Sequence, residues 1–212
     1  LYWDLTCMAW LYQFVGELNK SEQCLKEALN MSKSLGDTFR QDWHYGRYYF
    51  DKGDYVKARE HLEKLLEDAK KGGYMGGDNE YLIRTYIELG EIEKAKKLIE
   101  GMYEFALQVN NKERISVAHA LRGMQLRAEK KWQESIDHFE KSLRESVYRR
   151  CDPYNFAKRM LVEYARVYLE RDQEGDRERA HKLFDEALEM FTKMGAKMDI
   201  ERIIAKKKLL TA

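Results

Sequence analysis

Proline is nearly missing from this chain, with one in 212 residues. So few breakers leave little room for loop-rich or extended structure. Cysteine is scarce as well. Cys7, Cys24 and Cys151 are far apart in sequence and form no disulfide framework or metal-ligand spacing. They read as small buried hydrophobes in a reducing compartment, and we expect a cytoplasmic protein. No run approaches the ~18 apolar residues of a membrane span, and the first residues do not read as a signal peptide. Charge of one sign is also lacking: 38 Lys and Arg stand against 37 Asp and Glu, a formal charge of +1. Direct nucleic-acid binding would call for a clear basic excess. There is no initiating methionine, and Leu1 already lies inside a helical pattern, which points to a segment of a longer protein.

What is present is helix, repeated. Hydrophobic residues make up 44% and charged residues 35%, a balance that suits an all-helical chain with wet outer faces. The stretch Gly53–Leu66 breaks one helix with glycine, opens the next with Tyr55 and Ala58, and follows with Leu62 and Leu65 at helical spacing. Versions recur at Gly16–Leu29, Gly90–Tyr103, Lys130–Leu143 and Gly175–Leu188. Their small residues are Ser21, Ala58, Ala95, Ser135 and Ala180, spaced 37, 37, 40 and 45 residues apart. That period predicts a solenoid of antiparallel helix hairpins.

The pattern predicts eleven helices: Tyr2–Val15, Leu18–Leu35, Phe39–Lys52, Tyr55–Lys70, Asn79–Leu89, Ile92–Val109, Glu113–Lys130, Trp132–Tyr148, Pro153–Arg171, Arg177–Met194 and Asp199–Leu210. Repeat units then run over about 2–37, 39–73, 76–111, 113–150 and 153–195 of a single domain. A helix over 198–210 either caps the stack or opens a sixth unit. Gly36 reads as a helix-ending glycine, Asp152-Pro153 as an N-cap with first-turn proline, and 74–79 as a loose connection. The turn Asp172–Asp176 is longer than the earlier glycine turns. Gly46 and Gly123 lie in mid-helix, where glycine costs about 1 kcal/mol against alanine. The compensation expected is close approach of a neighbouring helix. The first helix is too densely apolar for one stripe (Trp3, Leu5, Met8, Trp10, Leu11, Phe14), so both faces must be covered or line a groove.

These residues resemble tetratricopeptide repeats. The second unit supplies Gly46, Tyr49, Gly53, Tyr55, Ala58, Leu62 and Leu65 to that family's pattern. The first, fourth and fifth supply Ala9, Tyr12, Gly16 and Ser21; Gly123, Leu126, Trp132, Ser135 and Phe139; and Ala165, Tyr168, Gly175, Ala180 and Phe184. The third fits least, with Ile83 at the small position. The resemblance covers nearly the whole chain and implies an all-α, right-handed superhelical solenoid that binds proteins or peptides. The units exceed the usual 34-residue period, because the second helices are longer. In that respect they look like the repeat regions attached to ATP-dependent signalling and transcriptional regulators of bacteria and archaea. There the array would serve as an oligomerisation, sensor or autoinhibitory arm.

The same resemblance implies a concave groove lined by each unit's first helix. Carried onto this chain, its lining residues are Trp3, Trp10, Phe14, Trp43, His44, Arg47, Tyr81, Arg84, Met124, Arg127 and Arg166. Arg47, Arg84 and Arg166 recur in phase, one residue after the small position, and Arg127 stands one turn along from Met124. Such a ladder suits an acidic peptide segment, with Trp10 and Trp43 as apolar anchors. The competing reading pairs these arginines with internal acids such as Glu80, Glu88, Glu163 and Glu170.

Catalysis is not expected, and no cofactor or metal is implied. The five histidines, His44, His61, His119, His138 and His181, are scattered and form no metal-binding or nucleophile-activating pattern. His61 and His138 fall at matching places in second helices and read as half-buried packing residues. The glycine-rich run at 72–77 lacks the Lys-Ser/Thr of a phosphate loop. Partners expected are therefore a protein or peptide, or a second copy of the chain, rather than nucleic acid or membrane.

Overall fold

The computed structural model describes residues 2–35, 39–71, 79–146 and 153–211. Expectations for Gly36, for the 72–78 connection, and for Cys151 and Asp152 lie outside those residues. Among the described residues the chain is all helix, an α-solenoid of antiparallel hairpins with eleven helices. They are α1 (Tyr2–Phe14), α2 (Leu18–Leu35), α3 (Phe39–Lys52), α4 (Tyr55–Lys71), α5 (Glu80–Glu88), α6 (Ile92–Gln108), α7 (Lys112–Ala128), α8 (Trp132–Glu145), α9, α10 (Asp176–Met194) and α11 (Lys197–Thr211). Helix α9 begins as Pro153–Phe156, widens into a π-helical stretch at Ala157–Leu161 and continues as Val162–Arg171.

The chain divides into two compact units, Leu1–Glu91 and Ile92–Ala212. The boundary falls inside the third repeat, the one that carries Ile83 at the small position. In the first unit α1 pairs with α2 and α3 with α4, and α5 packs on α4. In the second, α6 packs on α7, α7 pairs with α8, α9 with α10, and α11 lies along α10.

Backbone proximity inside the α3–α4 and α7–α8 hairpins accounts for the small residues found there. All five small residues, Ser21, Ala58, Ala95, Ser135 and Ala180, are completely buried. Opposite two of them the partner helix carries glycine. A Cβ on Gly46 would stand 2.4 Å from Leu62 Cγ, and one on Gly123 2.8 Å from the Phe139 ring. The mid-helix glycines therefore make the space that Leu62 and Phe139 fill, as the propensity cost implied. Ser135 Oγ tightens the same contact by donating to the Gly123 carbonyl at 2.7 Å.

The turns repeat too. The backbone N–H groups of Glu17, Asp54, Glu91 and Lys131 reach back to the carbonyls of Tyr12, Tyr49, Tyr86 and Leu126 at 2.7–2.9 Å. This closes the first helix of each repeat with a residue in left-handed conformation. Gly16, Gly53 and Gly90 fill that place in three units, and Lys130 fills it in the fourth with φ +60°. The fifth turn differs because it uses two left-handed residues, Asp172 and Gly175. Arg171 clamps it with a bidentate pair to the buried Asp176, at 2.8 and 2.6 Å. The last helix is tied back by a buried chain: Lys158 Nζ donates to the Tyr154 hydroxyl at 3.2 Å, and that hydroxyl donates to Asp199 at 2.9 Å.

Two measurements test this account. Gly123→Ala gains up to about 1 kcal/mol of helix propensity, yet it forces Phe139 aside at a typical overpacking penalty of about 1–3 kcal/mol. Urea unfolding should therefore show a net loss of stability, and a gain would overturn the close-approach reading. Lys130→Gly removes a left-handed L-residue, which costs about 1–2 kcal/mol. Its melting temperature should rise by about 2–4 °C.

Candidate functional site

Helix α1 turns a surprising face inward. It buries Thr6, Ala9 and Gln13 and leaves Trp3, Met8, Trp10 and Leu11 to solvent. Where α1 and α3 meet, an apolar cavity of about 170 Å³ opens, walled mainly by Trp3, Trp10, Trp43, His44, Leu25 and Arg47. Cys7 also lines it and is exposed. That corrects the expectation of a buried thiol, since no neighbouring helix covers this face of α1; Cys24 is buried as expected.

Five residues expected from sequence therefore meet at one place: Trp3, Trp10, Trp43, His44 and Arg47. Trp10 leans on Phe14, ring centroids 5.8 Å apart, and Trp43 meets His44 edge to face at 4.9 Å. The Arg47 guanidinium lies 5.4 Å from the Trp10 ring, 5.6 Å from Trp43 and 5.8 Å from Tyr81. Cation–π attraction to three rings orients it. Among the described residues it has no carboxylate within ion-pair distance, and its Nε is buried without an acceptor.

The other arginines are engaged differently. Arg84 is buried, with its guanidinium 4.7 Å from the Phe50 ring and Nη1 3.5 Å from Glu80. In the second unit, Arg127 is buried and stands 2.5 Å from Glu170 and 3.9 Å from Glu163. Arg166 shares both acids, at 2.9 Å from Glu163 and 3.7 Å from Glu170. Tyr81 and Met124 are buried. Of these four arginines, Arg47 alone stands clear of acids among the described residues.

No family model matches the chain, and no curated protein does at a meaningful level. Among solved structures, the crystal structure of BtubC (BKLC) from P. vanneervenii is similar, with a TM-score of 0.60 at 18% identity over 90% of this chain and 79% of that one. At that identity the likeness is one of fold alone. No helix among the described residues is long and apolar enough to cross a membrane.

Sequence reasoning missed one pairing. Histidines read as scattered come together in the second unit, where His119 Nδ1 on α7 lies 3.1 Å from His138 Nδ1 on α8. The hairpin register carried the signal. His119 stands four residues before Gly123, and His138 three after Ser135; Asp42 and His61 stand likewise about Gly46 and Ala58. That second pair also meets: His61 donates from Nδ1 to Asp42 at 2.8 Å while its ring stacks on Tyr45 and Tyr49. Burial alone would lift the Asp42 carboxyl. Hydrogen bonds from His61 and Lys64 outweigh it and hold the group below the usual range.

Burial lowers both His119 and His138, helped by the nearby Lys141 cation. For His138, where His119 and Arg122 also act, the value falls to about 4. Unfolded imidazole takes its proton near pH 6.5. Between that pH and about 4 the unfolded chain binds more protons, so stability falls as pH is lowered through this window. In His138→Gln the melting temperature should drop less over the same interval. Superimposable pH curves would remove the histidine pair as the cause.

Proposed function

We propose that the chain is a tetratricopeptide-like, non-catalytic scaffold that docks a cytoplasmic protein or peptide where α1 and α3 meet. The arrangement that supports this reading is Arg47, held among three aromatic rings with no carboxylate beside it among the described residues. A charged group so placed is better satisfied by a partner's carboxylate, to which its planar fork can donate two parallel hydrogen bonds. The adjoining cavity, about 170 Å³, exceeds the roughly 150 Å³ cavity that accommodates benzene. It has room for one apolar or aromatic side chain. Tryptophan and arginine are also the residues that concentrate binding energy at protein interfaces. The partner chemistry supported is an acidic residue next to an apolar one in an exposed peptide. The aromatic box is not suited to a cationic ligand, because Arg47 already occupies the ring faces such a ligand would use.

Fluorescein-labelled peptides that alternate acidic and apolar residues, and matched peptides with Asn and Gln in place of the acids, provide the test. Anisotropy should show binding of the acidic set and at least about tenfold weaker binding of the amide set. Arg47→Ala should abolish the difference while the melting temperature stays near wild type. Equal affinities for the two sets would overturn the proposal.

A further inference from the structure

A second face of α1 carries its own message. Nine large hydrophobic residues are prominently exposed among the described residues, and five of them, Trp3, Met8, Trp10, Leu11 and Val15, fall on α1 and the residue that follows it. Trp3 and Trp10 belong to the cavity. Met8, Leu11 and Val15 do not: with Asp4 they form a separate strip about a quarter turn away around the helix. Their spacing of four, three and four residues is that of a helix–helix seam. The exposures are 42, 53 and 37% for Met8, Leu11 and Val15, too concentrated for scattered surface apolarity.

We infer that this strip is a self-association surface, on which α1 of a second copy of the chain packs antiparallel. The pattern itself selects that partner. Positions 4, 8, 11 and 15 are symmetric about their own centre, so an antiparallel copy sets Met8 on Leu11 and Leu11 on Met8. This is the reciprocal contact of a two-fold interface. Asp4 then lies against Val15 of the other copy, whereas a parallel pair would bring the two Asp4 carboxylates together. Charge elsewhere does not oppose the approach. Asp4 is the one charged residue in α1, and the chain's net charge is only +1. A membrane surface fits less well, since α1 has no Lys or Arg to meet anionic lipid.

A helix pair about 20 Å long buries less than the roughly 1,200 Å² of a tight complex, so the dimer should be weak and reversible. The inference does not depend on the peptide-docking reading, because the two faces of α1 share no residue.

Sedimentation equilibrium across the micromolar range tests it. The wild-type mass should rise with concentration from 25.3 kDa toward twice that value. Leu11→Glu, at an exposed position, should weaken association at least about tenfold and leave the melting temperature and Arg47-dependent peptide binding unchanged. A wild-type protein that stays monomeric throughout overturns the inference, and so does a Leu11→Glu variant that still dimerises with wild-type strength. Orientation is read by disulfide trapping in a Cys7→Ser background. Mixed Met8→Cys and Leu11→Cys proteins should cross-link faster together than either does alone; the reverse order overturns the antiparallel register.

Discussion

The structure depends on how closely the two helices of a hairpin approach. At Gly46 and Gly123 the backbone comes so near that Leu62 and Phe139 occupy the place of a Cβ. On the facing helix the small residue is completely buried in every repeat. This contact sets which side chains oppose each other along the whole hairpin, because an antiparallel pair pinned at one level is pinned at all of them. The Asp42–His61 and His119–His138 pairs are consequences of it: both lie one helical turn beyond the pinned level, in different repeats. One register position thus accepts a histidine hydrogen-bonded to a carboxylate in one unit and a histidine couple in another.

The recognition we propose rests on what the scaffold leaves unsatisfied. Three of the four arginines expected along the groove are spent internally. Arg84 lies beside Glu80 and over Phe50, and Arg127 and Arg166 share Glu163 and Glu170. Arg47 differs because its neighbours are Trp10, Trp43 and Tyr81, rings that orient a cation without neutralising it. Sequence position alone made the four look equivalent. What separates them is which acids lie within reach, on the same helix for Arg84 and Arg166 and on a neighbouring helix for Arg127.

Much of the fold was legible beforehand for a physical reason. Helix ends that rely on a left-handed residue leave glycine behind, as at Gly16, Gly53 and Gly90, and close contacts leave Ser21, Ala58 or Gly123. Lys130 was readable only by phase, since nothing in lysine announces a positive φ. The site was legible in part. Trp10, Trp43, His44 and Arg47 do converge, but the burial of Tyr81, Met124 and Cys24, against the exposure of Cys7, depends on which helices lie alongside, and a one-dimensional pattern does not carry that. The histidine couple was missed because its members are nineteen residues apart and meet only across the turn.

The widened stretch of α9 at Ala157–Leu161 divides that helix into two halves that look in different directions. One additional residue in a turn rotates everything beyond it by about 100°. Before the stretch, Tyr154 reaches Asp199 on the last helix. After it, Tyr164 stacks on Phe139 of α8, ring centroids 5.2 Å apart. The two halves flanking the widened turn thus serve different neighbours, the last helix through Tyr154 and α8 through Tyr164.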